Sequence, residues 1–302
     1  MRGKILLTSI IIAAFLGSFV AQWYLTRSSD GDIEMVRLYD RIVSLSPSVT
    51  ETLFELGLGE RVVGVTSFCK YPEEALKLPK VGAYLDPNYE AIVALTPDLV
   101  ILREEFEEAK MQLEDLGIRS LTVDHNSIEG ILDSFTAIGK QCGAEPRARE
   151  VVEDIRDRMT KIKEAAGELP RLKVMVSVER EMDTGSIKGV YVAGRDGFYD
   201  EMIRTAGGVS AFEDTGIPFP NVSMESIMRA DPDIIVDIVP NLEQRDLDEA
   251  AMKRDWQKLS EVAAVKNGRV YVLTQDFMVI PGPRFILVIE EFARTIHPEM
   301  EW

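Results

Sequence analysis

Histidine and cysteine are almost missing from this chain, at two of each in 302 residues. So few leave little material for a zinc cluster, an iron–sulfur centre or imidazole-based catalysis. Basic charge is short as well. Lys and Arg number 34 against 51 Asp and Glu, a formal net charge of −17, and a surface that negative repels phosphate backbones. General nucleic-acid binding is excluded on that ground, and no nucleic-acid partner is expected. The chain carries no Gly-x-x-x-x-Gly-Lys phosphate loop, so any ATP would be hydrolysed by a partner subunit. Gly57-Leu-Gly59 opens a partial Gly-x-Gly-x-x-Gly, but the sixth position is Val62 and the run lies between helix and strand, which makes it a helix end. No Gly-x-Ser-x-Gly elbow supports His125 as the base of a hydrolase; His125 reads as capping a loop, and with His297 near the chain end capture of a free metal ion is disfavoured. The reading is of a protein that is not an enzyme, with no catalytic residues, no metal site and no cofactor. What remains is ordinary: 46% apolar and 28% charged residues, enough to bury a core in one large domain or two modest ones.

Ile5–Leu25 is a run in which only Gln22 is strongly polar, and at 1.5 Å per residue it reaches roughly 30 Å, the thickness of a bilayer core. Arg2 and Lys4 precede it and Trp23 and Tyr24 close it, the arrangement of a span with a cytoplasmic N-terminus. It reads as an uncleaved anchor; a cleaved signal is the alternative, although no Ala-x-Ala site follows and no cysteine stands there to take a lipid. Residues 38–302 then lie outside the cytoplasm, on the outer face of the membrane, or in the periplasm if the segment is cleaved. In that oxidising setting Cys69 and Cys142 could pair, but unpaired small core residues are the preferred reading.

Strands predicted over Arg41–Leu45, Val62–Thr66 and Asp98–Leu102 alternate with helical stretches, which points to α/β layers around a mostly parallel sheet. Ser48 and Glu51 stand at capping-box spacing ahead of Leu53, Phe54 and Leu56. The chain also repeats itself. Tyr84-Leu-Asp-Pro-Asn-Tyr-Glu90 to Ile101 resembles Phe219-Pro-Asn-Val-Ser-Met-Glu225 to Val236, with Glu, Ile, Pro and Asp recurring ungapped at an offset of 135 residues. Each copy reads as an aromatic-led loop, a short helix, a Pro-Asp stop and a strand. A weaker echo pairs Arg61–Thr66 with Arg269–Thr274. Between the copies, Pro146 opens a helix whose apolar positions Val151, Ile155, Met159, Ile162 and Ala166 step at helical spacing, ended by Gly167 and Pro170. The expected fold class is α/β, two similar α/β sandwich lobes joined by one long backbone helix, with the N-terminal transmembrane anchor. The expected boundaries are 1–26 for the anchor or signal, 27–37 for a linker, 38–143 for the N-terminal lobe, 144–169 for the connecting helix and 170–302 for the C-terminal lobe.

These segments carry a resemblance. Arg41-Ile-Val-Ser-Leu-Ser-Pro-Ser-Val-Thr-Glu51, Gly64-Val-Thr-Ser-Phe-Cys-Lys-Tyr-Pro72 and Glu90…Pro97-Asp98 resemble the helical-backbone class of ABC-transporter solute-binding proteins, which serve cobalamin, haem and iron–siderophore uptake. Ile217-Pro-Phe-Pro-Asn-Val-Ser-Met-Glu225 and Asp276-Phe277…Pro281-Gly-Pro-Arg284 match the second lobe of that class. The likeness runs in order over residues 38–298 and is closest to the cobalamin-binding branch. It implies a ligand cleft between the lobes, with Ser46, Pro47, Phe68, Tyr84, Phe219 and Phe277 as ligand-binding residues and Arg195 as a candidate to meet a polar group on the ligand. Where the cobalamin branch often carries tryptophan, this chain has Tyr84, Phe219 and Phe277. It also implies that Glu107 and Glu225 dock onto arginines of a permease dimer with its ATPase subunits; Arg284 is read as steadying the start of the last helix. The expected function is the extracytoplasmic solute-binding component of an ABC importer that captures a cobalamin-like corrinoid. Alternatives are an iron-siderophore or haem carrier of the same class, or an extracytoplasmic enzyme or sensor reusing the fold, against which the missing His pairs and nucleophile motif argue.

Overall fold

The computed structural model of the chain describes residues 39–302 apart from 84, 183–186, 196 and 241–247. The expected anchor and linker, residues 1–37, and the expected ligand contact Tyr84 therefore lie outside the described residues. Among those described, no helix is long and apolar enough to cross a membrane. Leu38–Trp302 is one compact unit.

Its first half alternates strand and helix: β1 (Ile42–Ser44), α1 (Pro47–Glu55), β2 (Val62–Val65), α2 (Tyr89–Ala94), β3 (Leu99–Arg103), α3 (Glu107–Asp115), β4 (Ser120–Val123) and α4 (Ile128–Cys142). The strands pair in parallel in the order β2-β1-β3-β4. All of β1 and Leu99–Leu102 of β3 are buried, as a strand covered by helices on both faces must be. Then comes α5 (Glu145–Ala166), the 22-residue helix that the spacing predicts, with Pro146 in its first turn and Gly167 just past its end.

The second half contains β5 (Leu172–Glu179), β6 (Val190–Val192), α6 (Phe198–Thr205), β7 (Gly208–Ser210), β8 (Asn221–Val222), α7 (Met224–Ala230), β9 (Ile234–Ile238), α8 (Glu249–Trp256), α9 (Ala263–Lys266), β10 (Val270–Leu273) and α10 (Phe285–Ile296). Here β7, β5, β9 and β10 are parallel neighbours in that order, the order of β2-β1-β3-β4 again. An antiparallel addition, β6 and β8, continues the sheet along the later residues of β5. No periodicity in the sequence announces those two short strands. The stripe Val151, Ile155, Ile162 and Ala166 of α5 is buried, and α5 packs against α4 on one side and α6 and α10 on the other. One apolar cluster thus runs from Tyr39 through α5 to Ile296.

The internal repeat has a physical basis at each matched position. Asn88 and Ser223 cap α2 and α7, their side chains accepting the N–H of Ala91 and Ser226. Ile92 and Ile227 are fully buried. Thr96 (φ 45°) and Asp231 (φ 43°) turn the chain out of each helix in the left-handed region, and the following proline bars any helical continuation. The Asp98 carboxylate then accepts the N–H groups of Asp40 and Arg41 at 2.9 and 3.1 Å, and Asp233 accepts that of Lys173 at 2.8 Å. Each Pro-Asp therefore pins the start of the central strand, β1 or β5. The weaker echo is a correction: Arg61–Thr66 holds β2, whose counterpart by sheet order is β7, whereas Arg269–Thr274 holds β10, the counterpart of β4. Shared strand composition, not descent from one repeat position, explains that likeness.

Candidate functional site

Loops that leave the C-terminal ends of β1 to β4 face loops of the second half across a crevice, where α/β folds usually bind ligands. Two adjoining cavities occupy it. One, of about 290 Å³, is lined by Ser46, Pro47, Ser48, Phe68, Arg103, Val279, Ile280 and Pro281. The other, of about 590 Å³, is lined by residues that include Arg103, His125, Tyr199, Phe219, Val279 and Pro281. Arg103, Val279 and Pro281 belong to both.

The expected contacts divide. Ser46, Pro47 and Phe68 line the first cavity and Phe219 the second, with Phe68 56% and Phe219 45% exposed. Both rings thus present apolar surface to the cleft. Tyr199 fixes Phe219 edge-on, ring centroids 6.2 Å apart, and its own hydroxyl donates to the Met278 carbonyl at 2.6 Å. Arg195 lies exposed on the turn before α6 and is not among the lining residues. Phe277 is half-buried against the main core, 5.7 Å from the Arg284 guanidinium, and does not line the cavities either; the short helical turn Asp276–Val279 aims it inward while Val279 meets the cleft. Glu107 opens α3, exposed and 3.4 Å from Lys110. Glu225 stands exposed in the first turn of α7, and its repeat counterpart Glu90 stands exposed in the first turn of α2.

Sequence reasoning misses Arg103, Tyr199 and the Val279–Pro281 wall, and it misreads His125. That imidazole is buried rather than capping a loop. Its Nδ1 lies 2.7 Å from Ser48 Oγ and its Nε2 2.9 Å from Ser134 Oγ, while Ser46 and Ser48 are 2.8 Å apart. Burial, assisted by the nearby Arg103 charge, lowers its pKa to about 3, so it is neutral at physiological pH.

Glu51 is the other correction. Ser46 precedes α1 and no side chain caps it, so the expected Ser48–Glu51 capping box does not form. Glu51 instead lies buried and takes two bonds from Arg284, at 2.6 and 2.9 Å. Arg284 also grips Asp276 at 2.8 and 2.9 Å and stacks 4.0 Å over Tyr71. This arginine does precede α10, but its larger effect is to tie the two halves together beneath the cleft. The chain reaches that point through Gly282, where a Cβ would come within 3.1 Å of Ser48 Cα, so a larger residue would have to push α1 back by a few tenths of an ångström. Among the described residues no group of three His, Cys, Asp or Glu side chains lies placed to hold a metal ion. Cys69 and Cys142 are free and buried.

The family model described as periplasmic binding protein matches residues 42–277. An uncharacterized ABC transporter substrate-binding lipoprotein, YvrC of Bacillus subtilis, is 35% identical over 282 residues, covering 90% of this chain and 84% of that protein. A vitamin B12-binding protein of Vibrio cholerae is 26% identical over 254 residues, 83% of this chain and 87% of its own length. Among solved structures, a periplasmic haem-binding protein from Pseudomonas aeruginosa superposes with a TM-score of 0.74 at 25% identity, covering 87% of this chain and 95% of that one.

Proposed function

The chain belongs to the periplasmic binding protein family, and from that premise we propose that it is the substrate-binding component of an ABC importer, capturing a corrinoid in the crevice between two lobes. The observation that carries the ligand class is the crevice wall. Phe68 on one side and Phe219 on the other stay half-exposed over two joined cavities of about 290 and 590 Å³. A flat, largely apolar macrocycle covers such rings and recovers the apolar surface they leave in water, about 25 cal/mol per Å². The likeness to a vitamin B12-binding protein supports the same choice, and the likeness to a haem-binding structure defines the alternative.

Residues 38–143 and 170–302 are taken as the lobes and residues 144–169 as the rigid strut, in keeping with the repeated sheet order. Delivery to a permease dimer needs two matching contacts. Glu225 and its repeat counterpart Glu90 occupy the same place on α7 and α2, each exposed, each three residues ahead of an exposed apolar side chain, Met228 or Val93. A dimer offers the same basic socket twice, and two equivalent carboxylates answer it in orientation and encounter rate. Glu107 instead lies on α3 beside Lys110. We take the apolar run Ile5–Leu25, which lies outside the described residues, as the membrane attachment.

The test is a calorimetric titration of the purified chain with cobalamin, cobinamide, haem and ferric siderophores. Micromolar or tighter binding of corrinoids alone is expected. Binding of haem alone assigns the alternative, and binding of none of them refutes the carrier reading.

A further inference from the structure

The Arg284 guanidinium meets two carboxylates along two of its edges. Nε and Nη2 donate to Glu51 at 2.9 and 2.6 Å, and Nη1 and Nη2 donate to Asp276 at 2.8 and 2.9 Å. Both pairs are two-pronged, and a planar fork gripped on two edges has little freedom to swivel. Asp276 and Arg284 stand 8 positions apart, so their pair closes residues 276–284 into a loop with a locked neck. The tip of that loop is the cleft wall: Val279 and Pro281 line both cavities and Ile280 lines the smaller one. Arg284 lines neither. Other supports of the crevice meet at the same loop. Glu51 lies one turn along α1 from Pro47, and Tyr71, stacked on the guanidinium at 4.0 Å, follows Phe68 in the same connection. From the second half, the Tyr199 hydroxyl donates to the Met278 carbonyl at 2.6 Å while the Tyr199 ring backs Phe219.

We propose that Arg284 is a positioning residue for the ligand: by locking the neck of the 276–284 loop, it sets the shared cleft wall in its binding position before any ligand arrives. Within the loop, backbone N–H groups of Met278, Ile280 and Gly282 donate to the carbonyls of Gln275, Phe277 and Ile280. Bonds of such short range shape the turn without fixing where it stands, and Val279 at its tip is 42% exposed. The consequence is kinetic. Because Arg284 lies outside both cavities, opening the neck keeps the contacts of the bound state and lowers the fraction of free molecules whose wall is in place. Apparent affinity falls by that fraction, and the fall belongs to the association rate. Loss of a side chain that touched the ligand would show in the dissociation rate instead. The inference rests on the carrier reading and adds to it what holds the site in shape.

Asp276→Ala opens the neck and leaves the Glu51–Arg284 pair standing; with the Asp276 side chain 37% exposed, the fold should hold. Stopped-flow binding of cobinamide to the full chain should show association about tenfold slower, a competent fraction of about one in ten, with dissociation nearly unchanged. An unaltered association rate, or a loss confined to dissociation, would overturn the proposal. Arg284→Met combined with Glu51→Gln separates positioning from stability. It removes the stranded charge but leaves the neck open, so stability should recover while association stays slow. Recovery of both together would show a purely structural arginine and refute the positioning role. A third measurement needs no ligand. Hydrogen exchange of the full chain, read by mass spectrometry, should be about tenfold faster across residues 276–284 in Asp276→Ala, with β1 and β9 unaffected. Equal exchange in that loop sinks the inference. Should the chain bind no corrinoid, the corrinoid reading falls and the exchange rates alone decide the role of Arg284.

Discussion

Arg284→Met keeps an unbranched side chain of similar reach but takes away the cation paired with Glu51. The cost can be worked from the surroundings. The Glu51 side chain is 1% exposed and receives two charge-assisted bonds from Arg284 at 2.6 and 2.9 Å, both of which disappear. A buried carboxylate stripped of its partner costs about 3–5 kcal/mol. Asp276, 37% exposed in its side chain, rehydrates and adds little. Losing the guanidinium stacked 4.0 Å over Tyr71 adds roughly 0.5–1 kcal/mol. Even with Arg284 in place, burial holds the Glu51 pKa above the ordinary carboxylate value. A carboxyl raised in this way contributes fully below its unfolded pKa and loses stability as pH rises through its folded one. Removing the arginine widens that loss, so the penalty should be larger at pH 7 than at pH 5. Urea unfolding at both pH values, read by circular dichroism and tryptophan fluorescence together, measures it. Adding Glu51→Gln, which removes the stranded charge, should recover at least half. A penalty below about 1 kcal/mol at pH 7, or a double variant no more stable than the single one, would refute the reasoning.

Because burial depresses the His125 pKa to about 3, the folded protein binds fewer protons there than the unfolded chain once pH drops below the unfolded value. Stability should fall on acidification by about 1.4 kcal/mol per pH unit from this residue below about pH 6, and His125→Gln should flatten the slope in urea melts from pH 7 to 4. Burial raises both thiols, Cys142 to about 11, so Ellman's reagent at pH 8 should find no reactive thiol in the native protein and both after denaturation without reductant. Finding none after denaturation would mean a disulfide. Phe68→Ala and Phe219→Ala should weaken cobinamide binding about tenfold each yet move stability by less than about 0.5 kcal/mol. Phe277→Ala, packed against the core, should do the reverse, costing about 2–3 kcal/mol with affinity nearly kept. Calorimetry beside urea melts separates the two patterns.

What was legible in the sequence is what short-range chemistry dictates. A capping Asn or Ser, a buried Ile, a left-handed residue, then Pro-Asp before a β-branched strand form one local unit, and that unit appears twice with its register intact. The long helix was legible through its apolar spacing and its Pro and Gly ends. Pairings across many residues were not. Glu51 and Arg284 are 233 positions apart and His125 and Ser48 are 77 apart; no local propensity marks either partner. Glu51 even carries a false local signal, because its spacing from Ser48 suits a capping box while the carboxylate is held by the far half. β6 and β8 are only three and two residues long, too short for an alternation to register.

The strap from Val279 to Arg284 has a consequence for anyone recombining this protein with its relatives. It is encoded with the second half, yet Gly282 rests on Ser48 and Arg284 grips Glu51, so its fit is written in the first. A crossover placed in the long helix looks safe by domain logic, since each half brings a complete sheet. It would nevertheless join a foreign strap to a native α1, and a strap without Gly282 and Arg284 would lose the glycine contact and the ion pair together. Chimeras should keep residues 279–284 with the half they touch, not with the half that encodes them. The boundary that matters for exchange follows contact, and it cuts the chain twice.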